Sequence, residues 1–66
     1  MNKEKVLTMD PYILLSWTNM KLRDEFDSLR TLCEENELNE EEVLNRLNSV
    51  GYTYSEKTNQ FISGEA

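Results

Sequence analysis

The chain has 66 residues, with seven Lys and Arg against thirteen Asp and Glu, one cysteine and no histidine. This excludes an internal disulfide and the commonest metal ligand, and the formal charge of −6 repels nucleic acid and anionic membrane surfaces. A single domain this short buries only about 60% of the surface its unfolded chain exposes, so of the staples small domains use, self-association is the one left open.

No apolar run approaches the roughly 20 residues of a membrane span, and residues 1–9 lack the apolar core of a signal peptide. The expectation is a cytoplasmic protein with no membrane contact and no cofactor. Residues 1–9 carry no cap and no sustained periodicity, which reads as a flexible arm with Val6, Leu7 and Met9 available for packing. Residues 10–62 read as one small helical domain.

Asp10 followed by Pro11 marks a helix start, because Asp is a good N-cap and Pro is pre-organised for the first helical position. At about 100° per residue, Tyr12, Leu15, Leu22 and Phe26 form one apolar stripe of this first helix, with Asn19 inside it. Ile13, Trp17 and Met20 form another. The second stripe is either internal core or an interface. Trp17 is its expected anchor, since small interfaces concentrate their energy in an aromatic flanked by apolar neighbours. Asn19 needs hydrogen-bond partners if buried, supplied by a nearby loop backbone or by a partner.

Ser28 is an N-cap candidate for a second helix with Leu29, Leu32 and Cys33 inward, ending near Asn36. Leu38 plugs the following turn. Asn39 with Glu42 three residues on has the spacing of a capping box. A third helix is predicted over residues 40–49, with Val43, Leu44, Leu47 and Val50 inward and Gly51 ending it. Tyr52 and Tyr54 then alternate in the strand manner, and Phe61 returns after a polar turn over residues 56–59. The predicted fold is mainly α, three helices plus a C-terminal β-hairpin, resembling a winged helix-turn-helix. Glu37 stands where the turn of that motif usually has glycine.

The start of the third helix is Glu40, Glu41 and Glu42, where a DNA reader presents basic or polar groups to phosphates and base edges. These acids suit the helix dipole instead, and Glu42 is spaced to pair with Arg46. A DNA-associated regulator is therefore the alternative role. It requires Lys21, Arg23, Arg30 and Arg46 to converge on one surface. Cys33 has no histidine to activate it and sits at an inward position, so it reads as core. The acids at 24, 25 and 27 and at 34, 35 and 37 lack the glycine and spacing of a calcium loop. No catalytic constellation is present. The expected role is a non-enzymatic interaction module that meets a protein partner, or a second copy, through Ile13, Trp17 and Met20 of the first helix.

The run Asp10-Pro11-Tyr12-Ile13-Leu14-Leu15-Ser16, then Asn19, then Lys21-Leu22-Arg23-Asp24, resembles a family of very short bacterial proteins known only as a domain of unknown function. Leu29, Leu32-Cys33, Gly51-Tyr52, Tyr54, Asn59 and Phe61 are similar to it as well. The resemblance spans about residues 10–61. It implies a free-standing bacterial protein and no catalytic residues. Thr31 departs from its pattern, in which an acid commonly stands three residues after the second helix's cap. The string also implies that Lys21, Arg23 and Asp24 form charge pairs pinning the end of the first helix to the second helix or the hairpin.

Overall fold

The structure, a computed structural model, describes residues 3–64, with the side chains of Lys3 and Leu7 left out. Expectations for Leu7 and for the extreme termini lie outside the described residues. Along the chain run α1 (Lys3–Thr8), α2 (Pro11–Asp24), α3 (Leu29–Glu35), α4 (Glu40–Asn48), β1 (Tyr52–Ser55) and β2 (Gln60–Ser63). The expected three helices and hairpin are present, joined by α1 in the segment read as an arm. α1 has no N-cap signal. Val6 is buried in the core, and Arg46 Nη2 of α4 donates to the Met9 carbonyl at 2.7 Å, so tertiary contacts hold what local sequence does not announce.

Each remaining helix begins at the cap its sequence supplies. Asp10 Oδ1 accepts from Tyr12 N–H at 2.8 Å, Ser28 Oγ from Thr31 N–H at 3.1 Å, and Asn39 Oδ1 from Glu42 N–H at 3.2 Å. At Thr31, where an acid would complete a capping box, the hydroxyl meets Ser28 Oγ at 2.9 Å instead.

The α3–α4 turn explains how Glu37 replaces glycine. Glu37 adopts φ +57°, its N–H bonds to Glu34 O, and Leu38 N–H bonds to Cys33 O at 2.8 Å. This is the Schellman arrangement that closes a helix through one left-handed residue. Leu38 thereby folds back against the core. Gly51, at φ +87°, turns the chain from α4 into β1.

The core comprises Val6, Leu14, Leu22, Leu29, Leu32, Cys33, Val43, Leu47 and Phe61. The buried side of α2 is Leu14, Thr18 and Leu22, an i, i+4, i+8 line that includes Leu22 of the first predicted stripe and two residues outside both. This corrects the stripe assignment. Tyr12, at the start of the first stripe, is 58% exposed, while Leu14, which neither stripe contained, is fully buried.

β1 and β2 pair antiparallel, with Tyr52 opposite Ser63, Thr53 opposite Ile62, Tyr54 opposite Phe61 and Ser55 opposite Gln60. The Tyr54 and Phe61 rings pack at 5.5 Å. An isolated two-stranded hairpin is marginal in water, and its attachment to α2 is the central feature of the molecule.

Candidate functional site

α2 has a side that holds the hairpin and a side that faces solvent. On the first, Asn19 Nδ2 donates to Phe61 O at 3.1 Å, and Phe61 N–H donates to Asn19 Oδ1 at 2.8 Å. One side-chain amide thus satisfies both peptide groups of a β2 residue, as a neighbouring strand would. Gln60 Nε2 donates to Asn19 O at 3.0 Å. One turn on, Asn59 Nδ2 donates to Leu22 O at 3.0 Å, a carbonyl that the end of a helix leaves without a partner, and to Phe26 O at 2.9 Å, just past that end. Tyr54 Oη donates to Asn59 Oδ1 and accepts from Leu29 N–H at 3.2 Å. Asn59 reaches this place because it takes φ +55° in the hairpin turn, a region Asn tolerates better than most residues.

Asn19, Tyr54, Asn59 and Phe61, four of the residues on which the family resemblance rests, therefore join in one network that fixes the hairpin to α2 and to the start of α3. The pinning expected of Lys21, Arg23 and Asp24 is done by Asn59 and Tyr54. The ion pairs of the three charged residues are local. Lys21 pairs with Glu25, and Arg23 chelates Asp24 through Nε and Nη2 at 3.0 and 3.1 Å. Hydrogen bonding from Arg23 holds the Asp24 carboxyl below its ordinary value, and the same bond raises the guanidinium's. Both side chains lie open to water.

The solvent side of α2 carries Tyr12, Ile13, Ser16 and Met20, with Ile13 61% and Met20 40% exposed. Trp17, expected to anchor a contact, is half-buried and packs against the chain's own core. Residues 11–20 carry no charge, although the chain as a whole is 30% charged, so over the first ten residues of the helix the outer face carries no ion, and the exposed Arg23–Asp24 pair follows on the same side at the end of the helix. Interface centres are depleted of charge and enriched in aromatic and Met side chains in the same way.

The four basic residues on which a DNA-reading surface would depend each have a partner close by: Lys21 has Glu25, Arg23 has Asp24, Arg30 has Glu34 at 3.7 Å, and Arg46 has the Met9 carbonyl. Glu40 and Glu41 are exposed at the start of α4. Depressions of about 320 to 400 Å³ open on the surface at the end of α2, along α4 and between α3, α4 and the hairpin. Cys33 is buried, and burial pushes its thiol up to about 11, with the Glu40 carboxylate adding to the effect. A thiol so protonated is a poor nucleophile. Among the described residues no group of three or more Cys, Asp or Glu side chains could hold a metal ion, and no helix is long and apolar enough to cross a membrane.

Neither a curated protein nor a solved structure matches the chain. The pattern of a family described as Domain of unknown function (DUF4250) matches residues 8–61, a span that contains α2, α3, α4, β1 and the first half of β2. The chain belongs to that family.

Proposed function

We propose that the protein is a non-enzymatic interaction module of the cytoplasm whose contact surface is the outer face of α2. The observation that carries this reading is the exposure of Tyr12, Ile13 and Met20 within residues 11–20 of the helix, which carry no charge. Ile13 replaces Trp17 as the anchor, because Trp17 is already committed to the core. The partner is a protein presenting a complementary apolar surface. A DNA-associated role has less support, since Lys21, Arg23, Arg30 and Arg46 are engaged separately and binding to DNA depends on neutralising several phosphates together.

The test is a photo-crosslinking amino acid placed at position 13 and, as control, at the exposed position 30 of α3, in the cells that make the protein. Position 13 is expected to yield discrete heavier adducts that position 30 does not. Equal adducts at both positions, or none at position 13, would overturn the reading.

A further inference from the structure

The two edges of the hairpin differ, and the hydrogen bonds show which peptide groups point outward on each. In an antiparallel pair, residues alternate between hydrogen-bonded and non-hydrogen-bonded positions. Gly64 N–H donates to Gly51 O at 2.7 Å, so the Gly51/Gly64 level is hydrogen-bonded, and so by alternation are Thr53/Ile62 and Ser55/Gln60. The Tyr52/Ser63 and Tyr54/Phe61 levels are then non-hydrogen-bonded. An independent observation agrees: Phe61 directs both its N–H and its C=O to Asn19, away from β1. Tyr52 and Tyr54 must therefore direct theirs away from β2. On the β2 side α2 takes these groups. On the β1 side no backbone hydrogen bond outside the hairpin ladder reaches Tyr52 or Tyr54 among the described residues.

We propose that the outer edge of β1 pairs antiparallel with β1 of a second copy, joining two hairpins into a four-stranded sheet. The pairing is centred on Thr53. Tyr52 of each copy exchanges N–H and C=O bonds with Tyr54 of the other, and Thr53 faces its own counterpart. Charge favours a second copy here. Residues 47–55 carry no charge in a chain of net −6, so the two strands meet without acid opposing acid, whereas the start of α4 would bring glutamates together. The pairing also accounts for Ile62, 46% exposed and opposite Thr53 on the outer face of the hairpin. Across the joined sheet the side chains run Ile62, Thr53, Thr53, Ile62, and cross-strand neighbours of this kind shield one another. Self-association thus lies at β1 rather than on α2, which stays available to another protein. A four-residue strand makes the contact small, well below the roughly 800 Å² per partner of a standard interface, so the dimer is weak.

The test is disulfide trapping with Thr53→Cys. Facing residues at a non-hydrogen-bonded antiparallel level have Cα atoms about 4.5 Å apart, within the range a disulfide spans, and the native Cys33 is buried. Under mild oxidant Thr53→Cys is expected to form a covalent dimer several-fold faster than Thr58→Cys in the exposed hairpin turn. In the unaltered protein, amide exchange at Tyr52 and Tyr54 is expected to slow several-fold as concentration rises to about 1 mM, where weak contacts are populated. Trapping no faster than at Thr58→Cys, or exchange at Tyr52 and Tyr54 independent of concentration, would overturn the proposal.

Discussion

The two edges of one hairpin are treated in opposite ways. Along β2, a single asparagine on a helix supplies the donor and acceptor that a third strand would have supplied. Along β1 the equivalent groups of Tyr52 and Tyr54 are left outward. A hairpin of two four-residue strands is too small to be stable by itself, so the amide at position 19 has structural weight beyond one ordinary side chain. A helix can complete a sheet edge with one residue, provided that residue carries both a donor and an acceptor.

The largest effect is expected from breaking the closed edge. Asn19→Ala leaves the Phe61 N–H and C=O without partners in a half-buried place and should cost about 2–3 kcal/mol, a fall in Tm of roughly 10–20 °C for a domain of this size. Thermal denaturation followed by circular dichroism would check it, and an unchanged Tm would mean that Asn19 is incidental to the hairpin. Tyr54→Phe removes the hydroxyl that joins Asn59 to Leu29 N–H and is expected to cost about 1–2 kcal/mol; a urea midpoint unmoved by the change would contradict the network described here.

Thr18 sharpens the comparison from the other direction. Like Asn19 it is a polar residue on the inner side of α2, but it is fully buried and its Oγ1 has no hydrogen-bond partner among the described residues. Thr18→Val keeps the branched shape and removes the unsatisfied hydroxyl, so it should raise stability by about 1 kcal/mol, read as a higher urea midpoint at unchanged slope.

The smallest effect is expected at Arg23. Its pair with Asp24 is solvent-exposed, and Arg23→Ala should leave Tm nearly unchanged. The folded-state pKa of Asp24 is lowered, so the pair's small contribution is fully present above the ordinary value of 3.8 and is lost as pH falls through the lower folded value. An NMR titration of the Asp24 carboxyl should show it moving back up in Arg23→Ala. An unshifted carboxyl in both proteins would remove the ion pair from the account.

Much of this architecture was legible because its signals are local. The caps at Asp10, Ser28 and Asn39 and the polar turn over residues 56–59 involve residues two to five apart, and each stands where the sequence places it. α1 has no local signal, because its helix is held by Val6 in the core and by a bond from Arg46, 37 residues from its acceptor. Of the first stripe of α2, Leu22 is buried and Leu15 and Phe26 pack on the core, but Tyr12 faces out and Leu14 lies outside both stripes, because the helix is apolar on both sides. Periodicity cannot choose between two apolar sides, and the choice is made where the hairpin docks at Asn19. Asn59 carries no sequence sign of bonding to Leu22 and Phe26. Its role depends on contacts 37 and 33 residues away along the chain.

Amide hydrogen exchange at Phe61 and Tyr54, measured residue by residue in dilute solution, tests the contrast between the two edges most directly. The account predicts protection at Phe61, whose N–H is bound by Asn19 at 2.8 Å, and fast exchange at Tyr54, whose N–H faces outward. A Phe61 amide that exchanges as fast as that of Tyr54, or a Tyr54 amide protected in the dilute protein, would contradict it.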